Sequence, residues 1–432
     1  MKQVVFEDSL CVNITPIADI RPVFELICGF SPLLKRIEKM ISSSADGFWV
    51  REYLKDLIST EYQLPVNDPS FFQEDLLLLN GRWLIKEQKK KLAEEECVAM
   101  CGTTVVYAFL KKKTAQNLAG KDFFEILSLL PKQVPRKTVS ETLISYPWDL
   151  VRENFHALEE DFLSSGCKGI EGFVSPQAVI DGSYDRVYIA PKAKIHPFVV
   201  IDNNTGPVYV EKDAEIFSGS HIEGPCFLGE GVTVMPGSNI RRGNSIGKGC
   251  RIGGEIEKSI FHPYVNKCHN GFIGHSYLGE FVNLGALSTN SDLKNDYTTV
   301  SVLVNGQLVD TKEMKVGVFI GDHTKTGIGT LLNTGTSVGI MCNITANTML
   351  PKFFPAFTWY AKEKFMKGFG LEAMISTTRI AMERRNKILT PEMEEVFRNI
   401  FAQTKKVRQK YSGKSGFKES IDTNSCEKEI PL

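Results

Sequence analysis

The chain has 432 residues, enough for about two to three domains on length alone. Hydrophobic residues make up 42% and charged residues 24%, an ordinary composition for a protein in water. Lys+Arg and Asp+Glu balance at 51 each, which argues against nucleic acid or an anionic membrane as the main partner while leaving room for small anionic substrates.

Lys2 is followed by a mixed segment, Val4-Val5-Phe6-Glu7-Asp8, with no apolar core of a signal peptide. The run Leu76 to Leu79 is far too short to span a bilayer. The ten cysteines are scattered, which suits free thiols in a reducing cytoplasm, and Cys97 and Cys101 read as structural because no second pair accompanies them. Residues 1–165 predict an α/β layer domain: strands at Val4–Phe6, 75–79 and 105–110, and helical spacing over 24–41. A loop is expected at 131–135, between two prolines, and a helix over 149–163.

Then the pattern changes. Val210, Ile216, Ile222, Leu228, Val234, Ile240, Ile246 and Ile252 recur every six residues, with small or turn-forming residues between them. Period six fits neither a helix nor a hairpin sheet. It fits a parallel β-helix in which each hexad makes a short strand and a corner, three hexads closing one triangular coil. Ile195 and Ile201 form an early pair, and Phe272, Leu278 and Leu284 continue on a shifted grid, so an irregular corner is expected between Ile252 and Phe272. Ile320, Thr326, Leu332, Val338 and Ile344 follow. The solenoid is placed at 172–350. Residues 297–315 break the period, and Asn305-Gly306 between β-formers predicts a hairpin excursion, well placed to reach a neighbouring chain. Pro351 and Pro355 are expected to stop the repeat. A helical segment follows over 351–411, with Thr390-Pro391 as a helix start, and a disordered tail over 412–432. The cluster Lys405, Lys406, Arg408 and Lys410 reads as a solvated helix end, as do 89–91 and 111–113 as solvated faces.

Two blocks carry a family resemblance. Residues 266–286, Asn-Lys-Cys-His-Asn-Gly-Phe-Ile-Gly-His-Ser-Tyr-Leu-Gly-Glu-Phe-Val-Asn-Leu-Gly-Ala, followed by Asn290 to Tyr297, resemble the acetyl-transfer region of the bifunctional UDP-N-acetylglucosamine pyrophosphorylase/glucosamine-1-phosphate acetyltransferases. Tyr146-Pro147-Trp148-Asp149-Leu150 is similar to an element of sugar-1-phosphate nucleotidyltransferases fused to such solenoids, and 317–344 is similar to the divergent bacterial branch. The resemblance implies an α/β nucleotidyltransferase-like N-terminal domain, a left-handed parallel β-helix and C-terminal helices. It implies acetyl-CoA-dependent N-acetylation of an amino-sugar 1-phosphate and nucleotidyl transfer from a nucleoside triphosphate to a sugar 1-phosphate. A cytoplasmic homotrimer, with Mg²⁺ and acetyl-CoA as cofactor and co-substrate, follows from it too.

Residue by residue, it implies His269 as the base that deprotonates the attacking amine, a task suited to imidazole near neutral pH. It implies substrate contacts from Asn283, Asn295 and Tyr297, and phosphate contacts from Lys258 and Lys267. Arg21 is implied at the triphosphate and Asp149 as the Mg²⁺ ligand. His275 falls on the equivalent position of the next hexad; a zinc site there would need a third histidine in register, and none is assigned.

There are departures. Met235-Pro236-Gly237 replaces the family's Arg-Pro-Gly loop, and Glu257 stands where a phosphate-binding lysine is common. The Gly-rich phosphate loop is missing between Val4 and Gly29, and Asn80-Gly81-Arg82 replaces the Gly-Asp metal element. Three readings stay open: a bifunctional enzyme, a single-activity enzyme using either half, and a non-catalytic scaffold.

Overall fold

A computed structural model describes residues 1–86, 92, 94–346, 348–366 and 368–412. The expected solvated face at 89–91 and all but the first residue of the expected tail lie outside the described residues. No helix among the described residues is long and apolar enough to cross a membrane.

The N-terminal part is built on a six-stranded mixed sheet. Lys2–Phe6 lies parallel to both Gly47–Trp49 and Leu76–Asn80, and Thr104–Leu110 and Cys97–Cys101 extend the sheet antiparallel. Leu76–Asn80 is buried along its whole length, as a central strand covered on both faces must be. The expected long helix over 24–41 is shorter, Leu33–Ile41: residues 27–32 form a tight antiparallel pair instead, Ile27–Cys28 with Ser31–Pro32. Gly29 (φ +79°) makes that turn, and a Cβ there would meet the Asp161 carboxylate at 2.2 Å. The loop expected at 131–135 is in part helix, since Phe123–Gln133 carries Pro131 near its end.

The helix Pro147–Ser165 leads into the solenoid. Val210 pairs with Leu228 and Leu228 with Ile246, so three hexads do close one coil. One face is a ten-stranded parallel sheet running from Gly169–Ile170 to Phe353–Phe354. The inward aliphatic ladder is fully buried. The irregular corner is a shortened coil: Ile246 pairs with Phe261 and Ile252 with Lys267. The inward residue of the next strand is Ile273, paired with Ile256, and not the expected Phe272: it follows the inward Lys267 by a regular six residues, and the break is the shorter step from Ile273 to Leu278. The repeat also outlasts the prolines. Phe353–Phe354 and Trp359–Ala361 add to the sheets before Leu371–Glu383, Pro391–Gln403 and Lys405–Tyr411 form the terminal helices. Thr390 accepts from the Met393 amide at 3.3 Å and caps the second of these.

The Asn-Gly hairpin is present, with Ser301–Val304 antiparallel to Gln307–Asp310. It packs on the chain's own N-terminal half. Val300, Val302 and Val304 pack with Cys11, Ile14, Leu84 and Trp148, and Asn305 donates to the Val12 carbonyl at 3.0 Å. The excursion is thus the clamp between the two halves of one chain.

Candidate active site

At the end of the strand Lys2–Phe6 two carboxylates are buried, and both are already paired. Asp8 Oδ1 accepts from Arg82 Nε at 2.8 Å, and its Oδ2 accepts from Asn80 Nδ2 at 2.8 Å and from Arg82 Nη2 at 2.6 Å. Glu7 is held by Arg51 at 3.0 Å. Asn80-Gly81-Arg82, which replaces the expected metal element, thus brings a fixed guanidinium to the carboxylate. Asp149 is buried at the start of its helix. Its Oδ2 accepts the amides of Ser145 at 2.8 Å and Tyr146 at 3.0 Å, and its Oδ1 meets Arg152 at 2.9 Å. This is a capping carboxylate at a helix N-terminus.

Arg21, expected at the triphosphate, lies elsewhere than the strand end that carries Glu7 and Asp8. It is buried where the domains meet, in an ion pair with Asp322, 3.3 Å from Glu280 and 3.2 Å from His262 Nδ1. Burial and the neighbouring guanidinium push His262 well below the ordinary imidazole value.

The solenoid brings a different group together. His275 turns the corner between Phe272–Gly274 and Tyr277–Leu278, in the left-handed region (φ +49°). Its Nδ1 lies 2.7 Å from Asp292 Oδ2. Burial works against the charge of Asp292, but the hydrogen bond and charge of His275, with Lys315, outweigh it and hold the carboxyl below its ordinary range. His275 opens on a cavity of about 300 Å³ that Lys258, Arg152, Lys315 and Trp148 also line. Glu257 stands close enough that its carboxylate, the imidazole and Asp292 offer ligand atoms all within 4.8 Å of one another. Arg241 lies 3.1 Å from Glu257, and Lys258 and Lys315 stand with Glu313 in the cavity lining, so charges of both signs surround this group.

Of the expected residues, only Lys258 shares this cavity. His269 is exposed on the previous corner, between Asn266–Lys267 and Phe272–Gly274. Lys267 points inward at an aliphatic position: it is 1% exposed, and its ammonium donates to the Gly253 carbonyl at 2.9 Å and to the His269 carbonyl. Burial lowers its pKa to about 8. Asn283 accepts from Asn266 at 2.7 Å on another face of the solenoid, and Asn295 and Tyr297 lie in an exposed turn. The partner of His275 was legible in principle: Asp292 follows it by 17 residues, about one coil. Arg152 and Lys315 come from outside the repeat and carry no such signal.

Residues 3–167 match the family model described as sugar nucleotidyl transferase. A bifunctional sugar-1-phosphate nucleotidylyltransferase/acetyltransferase of Sulfurisphaera tokodaii is 34% identical over 141 residues, 32% of this chain and 35% of that protein. A bifunctional protein GlmU of a Synechococcus species is 28% identical over 202 residues, 45% of this chain and 38% of that protein. The matches thus span little more than a third of the length of these curated relatives. A solved UDP-N-acetylglucosamine acyltransferase aligns with a TM-score of 0.30 at 16% identity over 54% of this chain and 89% of that one, too slight a likeness to argue from. The chain is a nucleotidyltransferase-like domain joined to a parallel β-solenoid. Stretches of it are similar in sequence to bifunctional sugar-1-phosphate nucleotidylyltransferase/acetyltransferases.

Proposed function

We propose that the chain is a transferase of sugar-nucleotide biosynthesis, acetylating the amine of an amino-sugar phosphate from acetyl-CoA on its solenoid and transferring a nucleotidyl group to a sugar 1-phosphate on its N-terminal domain. The observation that carries the acyl half is the His275–Asp292 pair facing a cavity with Lys258, Arg152 and Lys315. Asp292 holds the imidazole through Nδ1 and leaves Nε2 as the base. Lys258 and Lys315, which line the cavity, hold the sugar phosphate. The amine attacks the thioester carbonyl and His275 takes its proton; the C–N bond forms, the C–S bond breaks, and the proton passes to the departing thiolate. The geometry favours His275 over His269, which has no carboxylate partner among the described residues. The family resemblance supports a trimer and a cytoplasmic location.

Thiol release from acetyl-CoA with a panel of amino-sugar phosphates tests this. His275→Ala should lower turnover by roughly 10²–10⁴-fold with His269→Ala near wild type; the reverse pattern returns the role to His269.

A second reading, that only the solenoid half turns over, is favoured by the N-terminal carboxylates. Asp149 and Asp8 have both oxygens engaged by protein donors, so neither fits as a Mg²⁺ ligand as placed. Pyrophosphate release with any pair of nucleoside triphosphate and sugar 1-phosphate would discard this second reading.

A further inference from the structure

A second cavity, of about 360 Å³, lies on a different face of the solenoid, roofed by the end of the terminal helix Leu371–Glu383 and the residues after it. Its lining is Arg251, Asn266, Asn283, Lys325, Arg384 and Arg385, with the rings of Tyr264 and Phe281 and two small apolar residues. It shares no residue with the His275 cavity.

The floor is a ladder built by the repeat. Arg251 pairs with Asn266, Asn266 with Asn283, and Asn283 with Lys325, so outward-facing positions of successive coils stand in one row. Strand spacing sets the steps at about 4.8 Å, which puts the two end cations roughly 14 Å apart at the backbone. Arg384 and Arg385 close over this row from the helix side. No carboxylate among the described residues lines the cavity. Among the described residues Arg251 and Arg384 have no acidic partner, and Arg385 and Lys325 are engaged only with backbone carbonyls, of Gly249 at 3.3 Å and His323 at 3.0 Å. Burial, then the Arg251 charge, pulls Arg385 below its ordinary value. Like charges held together without a counter-charge are costly, and the amides between them supply hydrogen bonds for an extended ligand. Tyr264 stacks on Phe281, with ring centroids 4.9 Å apart, and forms an aromatic wall beside the cations.

We propose that this cavity binds a phosphorylated nucleotide, its phosphates spread along the Arg251–Asn266–Asn283–Lys325 ladder under Arg384 and Arg385, and its base against the Tyr264–Phe281 wall. The phosphate-bearing adenosine end of a coenzyme A thioester and a free nucleoside di- or triphosphate share this chemistry.

The test is direct binding to the full chain, measured by calorimetry with ADP, ATP and coenzyme A as probes and independent of any turnover. Its failure is therefore distinct from a failure of the acyl-transfer reading. Arg251→Gln with Arg384→Gln, both at exposed positions, should weaken at least one probe roughly tenfold or more and flatten its salt dependence, while the melting temperature holds. If coenzyme A is the probe weakened and the KM for acetyl-CoA rises without change in the KM for the amino sugar, the site serves the acyl donor. If only ADP or ATP is weakened and the acyl-donor KM is untouched, the ligand is a free nucleotide. No binding by any probe, or equal binding by the double variant, overturns the proposal.

Discussion

The two halves of the chain spend their charges in opposite ways. In the N-terminal domain four arginines are turned inward and neutralised: Arg82 on Asp8, Arg51 on Glu7, Arg36 on Asp161, Arg21 on Asp322. In the solenoid, Lys258, Lys315, Arg251 and Lys325 stand around cavities, on outer faces and corners. A buried ion pair fixes a shape, because breaking it strands a charge. A cation at the rim of a cavity keeps its field for a ligand. The difference places cations at the solenoid cavities, while these four arginines hold the N-terminal domain together.

The sharpest way to break this contrast is Arg82→Met. It leaves Asp8 buried without its cation and should destabilise the protein by about 3–5 kcal/mol, while Asp8→Asn combined with Arg82→Met should recover part of that loss. Urea unfolding of both variants measures it. If Arg82→Met unfolds normally but loses nucleotidyl transfer, the guanidinium belongs to a substrate site after all.

Lys267 is the solenoid's exception, a cation turned inward, and it sharpens the contrast through pH. Its folded pKa of about 8 lies below the unfolded 10.5. Below pH 8 both states carry the proton and the burial penalty is full; between 8 and 10.5 the unfolded chain holds more protons, so stability rises with pH and the penalty fades. Lys267→Met should therefore gain on the order of 1–3 kcal/mol at neutral pH, less whatever the two carbonyls lose, and little above pH 10.5. Thermal melts across that range check the slope.

The smallest effect belongs to Asp149. As a helix cap, Asp149→Asn should cost about 1 kcal/mol and leave any pyrophosphate-releasing activity standing. Loss of that activity at unchanged stability would restore Asp149 to a metal site.

Much of this architecture was readable beforehand, and the misses have physical causes. Val210 to Ile252 announced the coil because an inward aliphatic residue is needed at every turn of it. Phe272 was misplaced by one residue, since the six-residue grid was carried back from Leu278 across a shorter step to Ile273. Lys267 was expected at a substrate phosphate, because burying an ammonium is rare; the backbone carbonyls of a corner accept its hydrogen bonds inside the coil. Arg21 pairs with a residue 301 positions away, a separation at which side-chain chemistry is invisible to spacing. His275 was noticed and set aside for want of a third histidine, while its true partner was a carboxylate one coil later.

The clamp between the halves has a thermodynamic corollary. Tyr277 accepts from the Ile27 amide at 2.9 Å, Ser245 donates to the Gly29 carbonyl at 2.7 Å, and Asn154 bridges Gly29 at 2.7 Å and Gly243 at 3.1 Å. With the hairpin's valines buried against Cys11 and Trp148, residues from both halves share one apolar cluster. Neither half can melt without uncovering the other's core, so calorimetry should record one cooperative endotherm spanning both, and the solenoid cut free of the first 165 residues would expose a sticky apolar seam.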